Sequence, residues 1–255
     1  MNSRIPKRII QTGKTADLCM LEKAAVANIR LLNPDFENLY FDDKAVNDFI
    51  GRKFPEYEKT FQSFRFPIQK YDFFRYLAVY HFGGFYFDLD LFLVENLSDL
   101  LKYTCVFSFE RITLNRYLRR TLKIDWEIGN YAFGAAAGHP FIRKIIDNCV
   151  RAQVEPAWRE MMVKSAPWLF REDAQVLCTT GPGLVSRTYS ENPDSRVDVK
   201  ILFPENRYDR NSWYLFGRYG VHLMESSWRR RRSRLYNFLR NYWGSRLERK
   251  YLRSR

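Results

Sequence analysis

The sequence predicts an α/β fold with a mostly parallel sheet and a basic helical tail. Three observations predict it. Short apolar strands alternate with longer helical stretches from Ile5 to Asp90, the order that yields a parallel sheet covered by helices. An aromatic run, Phe85-Tyr86-Phe87, is followed at once by Asp88-Leu89-Asp90. Acids directly after a buried strand are costly unless something cationic meets them. Finally, of a net charge of +13, +10 falls in residues 229–255 and +3 on all the rest, so body and tail are chemically distinct.

Taken in order, Ile5 to Ile10 reads as a strand that gives way to Gln11-Thr12-Gly13. In open α/β sheets, ligands lie outside the carboxyl ends of strands. Residues 17–32 form an Ala-rich helix with Asn33-Pro34 as its stop. Residues 38–41 are a second strand, and Asp42-Asp43 caps a helix through Ile50. From Tyr71 to Phe82, apolar residues at Phe73, Phe74, Leu77, Ala78 and Phe82 give one buried helical face. Gly83-Gly84 closes that helix, because glycine takes the left-handed C-cap without a steric penalty. Residues 103–109 are a further strand and 111–123 a basic, mobile loop. The small residues at 134–138 permit backbone to approach a ligand. His139 before Pro140 is a structural turn residue opening the helix Phe141 to Val150, and the turn Thr179 to Gly183 precedes another helix.

The expected organisation is one domain over residues 1–228 and a tail over 229–255. The chain is 46% hydrophobic and 17% aromatic, which excludes a disordered protein. Cys19, Cys105, Cys149 and Cys178 lie far apart with no C-x-x-C pair, so they read as thiols in a reducing compartment. Met1 to Lys14 has no long apolar run, and no uncharged apolar stretch approaches a transmembrane length. The expectation is a cytoplasmic, bacterial protein. In the tail, Leu235, Phe238, Leu239, Tyr242, Trp243, Leu247 and Tyr251 recur at helical spacing with arginines between them. A basic amphipathic helix with aromatics predicts an anionic membrane surface as partner, and nucleic acid is the less favoured one. The chain is therefore expected to be peripheral at the inner face of the cell membrane.

Chemistry concentrates in the middle. On an extended strand Asp88 and Asp90 share a face, with Cα atoms about 6.5–7 Å apart. That spacing puts Asp90 on a hard divalent cation and Asp88 on the ion's water or a sugar hydroxyl. Asp72 and Arg75, at i and i+3, share one helical face and suit a ligand carrying both hydroxyls and phosphate.

The run Asp72, Arg75, Tyr76, Gly83, Gly84, Tyr86, Asp88, Asp90 resembles the core of the DxD glycosyltransferases. The resemblance is to the group of Och1-like mannosyltransferases and bacterial capsule and surface-polysaccharide enzymes, with the clostridial glucosylating toxins further off. It implies a GT-A, Rossmann-like nucleotide-sugar-binding fold. It also implies Mn²⁺ or Mg²⁺, a UDP- or GDP-hexose donor, and retention of anomeric configuration. The opening Ile-Pro-Lys-x-Ile-x-Gln is similar to the family's, which makes Gln11 and Thr12 nucleotide contacts. Many members carry Trp where this chain has Gly13, which leaves base stacking unfilled. The block ending in His139-Pro140-Phe141 resembles one in which Asn130 faces the donor sugar. Late in the chain His222-x-x-x-x-Ser227-Trp228 resembles the family's pattern. By that likeness His222 completes the metal shell, and Ser227 and Trp228 hold the diphosphate.

The expected function is transfer of a hexose to a hydroxyl of a glycan, lipid-linked, in surface or capsular polysaccharide biosynthesis. Two other classes compete. Haloacid-type phosphatases also place Asp-x-Asp after a strand, but with a later Gly-Asp pair that this chain lacks. A non-enzymatic binder of membrane or nucleic acid is supported by the tail alone.

Overall fold

The computed structural model describes residues 4–224 and 234–253. The first half contains β1 (Arg8–Thr12), α1 (Met20–Leu32), β2 (Glu37–Phe41), α2 (Asp43–Lys53), α3 (Glu58–Ser63), α4 (Pro67–Phe82), β3 (Gly84–Phe87), β4 (Leu91–Leu93) and β5 (Cys105–Ile112). The second half contains α5 (Arg116–Arg120), β6 (Trp126–Ala135), α6 (Pro140–Val154), α7 (Pro156–Val163), α8 (Arg171–Leu177), α9 (Pro182–Glu191), β7 (Val199–Leu202), β8 (Leu215–Phe216), β9 (Gly220–His222) and α10 (Arg234–Arg253).

The main sheet runs β2-β1-β3-β6-β5-β7. Strand β1 is parallel to β2 and β3, and β7 is parallel to β5. Within this sheet only β6 opposes its neighbours among the described strands. This is the mainly parallel α/β sheet that the sequence predicts. A second small sheet, β4-β9-β8, is antiparallel. Its members are two or three residues long, too short to leave a periodic signal.

Strand alternation divides the core between the two faces of the sheet. Ile10, Tyr86, Phe107 and Phe133 face α4 and α6, where they join Phe73, Phe74, Leu77, Phe141 and Ile145. Ile9, Phe85, Phe87 and Val106 face the other way and pack with Leu91, Leu97 and Phe216. Helix α4 differs from its predicted single apolar face, because Gln69, Asp72 and Arg75 are buried alongside the apolar residues from Phe73 to Val79. Lying between the sheet and the α6 layer, it is enclosed on nearly every side, and its polar residues must find partners inside. It ends as expected: Gly83 and Gly84 have φ of 64° and 108°. A Cβ on Gly84 would stand 2.6 Å from the Arg8 carbonyl oxygen, so the α4–β3 turn excludes any side chain there.

Two expectations change. Residues 111–123 are ordered rather than loose. The Asn115 carboxamide oxygen caps α5 by accepting from the Tyr117 and Leu118 amides, its Nδ2 donates to the Met162 carbonyl at 2.9 Å, and Thr113 donates to Glu127. Gly134 serves packing instead of a ligand, since a Cβ there would meet the Phe85 ring at 2.5 Å. The four cysteines are unpaired, with three of them buried.

His139 is structural, as expected. It is the N-cap of α6, and its Nδ1 accepts from the Phe141 amide at 3.2 Å. Burial lowers its pKa below the ordinary histidine value, with Asp198 opposing. The unfolded chain therefore binds the proton more readily, so this contribution is present above about pH 6.5 and is lost as pH falls through the folded pKa. His139→Asn keeps a capping side chain without the titration. Between about pH 7.5 and 5.5 its urea midpoint should fall less than that of wild type, whereas His139→Ala should cost about 1 kcal/mol at the higher pH. Equal slopes for wild type and the Asn variant would remove the assignment.

Candidate functional site

The site lies where β1 and β3 end side by side. These strands are parallel with Ile10 opposite Tyr86. The last residues of β1, Gln11 and Thr12, with Gly13 after them, and Asp88-Leu89-Asp90 after β3 therefore lie on one edge, where open α/β sheets bind ligands. After Phe87 the chain turns instead of staying extended, with the Leu91 amide donating to the Asp88 carbonyl at 3.2 Å. The extended spacing inferred for the two acids is thereby corrected. Strand β4 then pairs Leu91 with His222 of β9. These two steps gather one ligand atom each from Asp88, Asp90 and His222 within 4.8 Å of one another.

His222 Nε2 lies 3.1 Å from Asp90 Oδ1. The imidazole stacks on Tyr131, with centroids 4.2 Å apart, and its buried Nδ1 has no hydrogen-bond partner among the described residues. Burial pushes its pKa down, but the Asp90 bond and the charges of Asp90 and Asp88 outweigh burial and raise it. Asp88 Oδ1 accepts from the Tyr86 hydroxyl at 2.9 Å and lies 3.2 Å from Arg75 Nη2. Burial raises the Asp88 pKa, Arg75 opposes, and the neighbouring Asp90 adds to the rise. Two carboxylates and an imidazole this close form a donor set suited to a hard or borderline divalent cation such as Mn²⁺ or Mg²⁺. A cation would also relieve the repulsion between the acids.

Arg75 supports the cluster from below. It is 3% exposed, yet its fork reaches three partners: Nη1 donates to the Asn130 carbonyl at 2.7 Å, and Nη2 lies 3.2 Å from both Asp72 and Asp88. Its guanidinium sits 4.6 Å from the Tyr86 ring centroid. Burial opposes its charge, but Asp88, Tyr86 and Asp72 outweigh it and raise the pKa. Asp72 and Asn130 are likewise buried, 4% and 7% exposed. The Asn130 Nδ2 donates to Asp72 Oδ1 and contacts Tyr76 Oη, each at 3.0 Å. Thr180 donates to Asp72 Oδ2 at 2.8 Å, while Tyr76 donates to the Thr180 carbonyl at 2.7 Å. The sequence reading missed Thr180 as a member of this network. The Thr-Gly-Pro turn at α9 was visible, but the link to Asp72 crosses more than a hundred residues.

Gln11 and Thr12 are 4% and 8% exposed. Gln11 Nε2 and Thr12 Oγ1 are buried with no hydrogen-bond partner among the described residues, an arrangement that suits contacts to a bound molecule. The Tyr40 hydroxyl stands where a Cβ on Gly13 would go, and Leu89 Cδ1 is 3.0 Å from that point. An aromatic side chain at position 13 would have to displace Tyr40 and Leu89, and Tyr40 of β2 brings a ring there instead. Its hydroxyl donates to the Thr15 carbonyl at 2.6 Å. Ser227 and Trp228 lie outside the described residues.

The central part of the chain matches a known family. Residues 20–107 match the model for the glycosyltransferase sugar-binding region containing DXD motif, a span that includes Asp72, Arg75, Asp88 and Asp90. The chain is similar to inositol phosphoceramide mannosyltransferase 2 of Schizosaccharomyces pombe, 27% identical over 83% of this chain and 56% of that protein. It is also similar to inositol phosphoceramide mannosyltransferase 3 of the same organism, 31% identical over 59% of this chain and 38% of that protein. The chain thus spans about half or less of the length of these relatives. Among solved structures, PaToxG glycosyltransferase aligns with a TM-score of 0.49 at 18% identity, over 76% of this chain and 73% of that one. The mainly parallel sheet, with acids just after β3, is the α/β architecture expected from the sequence. Over residues 20–107, which hold the two acids after β3, the chain is thus similar to the glycosyltransferases whose sugar-binding region contains the DXD motif.

Proposed function

We propose that the chain is a metal-dependent glycosyltransferase that moves a hexose from a nucleoside diphosphate sugar to a hydroxyl of a membrane-anchored acceptor. The observation that carries this reading is the convergence of Asp88, Asp90 and His222 within 4.8 Å at the edge where Gln11 and Thr12 leave buried polar atoms unpartnered. Asp88, Asp90 and His222 would hold Mn²⁺ or Mg²⁺. When bound, the ion supplies Lewis-acid stabilisation of the leaving diphosphate, worth several kcal/mol.

The residues of the chain do the rest. Gln11 and Thr12 bond the nucleotide, with the Tyr40 ring beside its base, and Ser227 and Trp228 contribute to the diphosphate. Arg75 fixes Asp88 and adds positive charge beneath the leaving group. Asp72 and Asn130, locked to each other, offer the sugar hydroxyls a rigid floor, and rigid positioning is a large part of catalysis. The acceptor oxygen forms the new bond to the anomeric carbon as the bond to the diphosphate oxygen breaks. The nucleoside diphosphate departs with the electron pair, and the acceptor proton passes to it or to water.

The names of the relatives make mannose the first sugar to test and an inositol-bearing lipid the first acceptor class. The charge of residues 229–255 supports an anionic membrane surface as the working location. No helix among the described residues is long and apolar enough to cross a membrane.

The test is hydrolysis of a panel of UDP- and GDP-sugars with and without Mn²⁺. Release from one donor that depends on the metal is expected, and the transferred sugar should keep its anomeric configuration in the product NMR spectrum. Equal release with and without metal would overturn metal dependence, and an inverted product would overturn retention.

A further inference from the structure

The C-terminal helix has two unlike faces. Gly244, Glu248 and Leu252 recur every four residues and all turn inward. Phe170 Cζ lies 3.4 Å from where a Cβ on Gly244 would stand. Glu248 Oε2 pairs with Arg210 Nη2 at 3.0 Å, and Leu252 packs against the cluster of Phe109, Ile112 and Trp213. Around the rest of the helix, Phe238, Tyr242, Trp243 and Leu247 are between 36% and 65% exposed. Among its described side chains, helix α10 is therefore docked through Gly244, Glu248 and Leu252 and exposed at Phe238, Tyr242, Trp243 and Leu247. The turn it rests on exposes Trp168 as well, to 78%.

Between the docked side and the body lies a cavity of about 540 Å³, lined by Arg210, Asn211, Tyr214, His222 and Glu248 among others. It shares His222 with the candidate metal cluster, so its inner end adjoins the donor site. Tyr214 has a φ of 63°, a region few tyrosines occupy, and its ring centroid is 6.4 Å from that of His222. A guanidinium, a carboxamide, a carboxylate and a phenol together offer both donors and acceptors. That mixture matches the hydroxyls of a polyol, and the volume suits a small-molecule site.

We propose that this cavity is the acceptor subsite, that it takes the polyhydroxylated head group of a membrane lipid, and that α10 delivers the head group by lying on the lipid surface. The proposal rests on the glycosyltransferase reading above and deepens it. Charge complementarity identifies the surface: residues 229–255 carry +10, which attracts anionic lipid, and exposed aromatics anchor at the headgroup level. One helix then joins membrane docking to acceptor selection.

The test is co-sedimentation of the full chain, without nucleotide, with phosphatidylcholine vesicles containing either phosphatidylinositol or phosphatidylserine at equal mole fraction. The two carry equal charge, and only the first has a polyol head. Wild type should bind both at least tenfold better than pure phosphatidylcholine and should prefer phosphatidylinositol at least threefold. Tyr242→Ser with Trp243→Ser should lower binding to both, with an unchanged thermal midpoint. Glu248→Gln should abolish the preference while keeping binding to phosphatidylserine. Asn211→Ala, which leaves the α10 ion pair in place, should reduce the preference in the same way, and free myo-inositol should compete with it in wild type. Equal binding to the two vesicles by wild type, or a preference that survives both cavity variants, would overturn the subsite. Failure to bind any anionic vesicle would overturn the docking role of α10. A donor panel that stays silent would instead remove the glycosyltransferase reading, since the vesicle preference is read without a donor.

Discussion

Asp90→Ala is expected to lower metal-dependent donor turnover by about three orders of magnitude without destabilising the protein. Asp90 sits in the turn after β3 with its carboxylate 3.1 Å from His222, beside a desolvated Asp88 whose pKa burial raises, with Asp90 adding to the rise. Removing Asp90 deletes a hard oxygen ligand from the cluster. If the ion's stabilisation of the leaving group is about 4 kcal/mol, its loss corresponds to about 10³ in rate, at 1.36 kcal/mol for each tenfold. Stability should change little, because removing a like charge from beside Asp88 offsets the loss of the hydrogen bond to His222. The pairing of lost turnover with a nearly unchanged thermal midpoint separates a chemical role from a folding role. His222→Ala should cost less, since it removes one neutral donor and leaves both carboxylates. An Asp90→Ala protein with wild-type turnover would exclude the cluster as the reaction centre.

Arg75→Ala is expected to have the largest effect on stability. The guanidinium is 3% exposed and is the shared partner of Asp72, Asp88 and the Asn130 carbonyl. Deleting it strands the deeply buried carboxylate of Asp72 and the partly buried one of Asp88, a loss on the order of 3–5 kcal/mol for a broken buried pair. With a urea slope of about 2–3 kcal/mol/M for a chain of this size, the midpoint should fall by more than 1 M. Arg75→Lys keeps the charge but not the fork, so it should recover part of the stability and little of the turnover. Adding Asp72→Asn to Arg75→Ala removes one stranded charge and should restore stability relative to the single variant, a coupling that unfolding in urea can measure. A midpoint for Arg75→Ala within a few tenths molar of wild type would show that the network is not bearing on the fold.

What the sequence makes legible follows from the range of each interaction. Local signals survive translation into structure. Asp42 caps α2 by accepting from the Ala45 amide at 2.8 Å, and Gly83 takes the left-handed region at the end of α4. The alternation of strand and helix gives the parallel β2-β1-β3 order. The acids after β3 stand out because an aromatic strand ending in two carboxylates needs a reason. Their geometry is not legible, because whether the chain stays extended or turns at Asp88 depends on β4 pairing with β9 far downstream. The same holds for Thr180 against Asp72 and for Tyr40 filling the space above Gly13. Each is a contact whose partners are far apart in sequence and whose meaning appears only when the sheet order is fixed. Gly134 shows the converse: a small residue with a plausible ligand role turns out to admit the Phe85 ring.

The most direct measurement is electron paramagnetic resonance of Mn²⁺ titrated into the protein with a nucleoside diphosphate present. One tightly held ion per chain is predicted, with a nitrogen coupling from His222 that disappears in His222→Ala and binding that is lost in Asp90→Ala. Mn²⁺ that stays free in wild type, or binds equally in Asp90→Ala, would contradict the account.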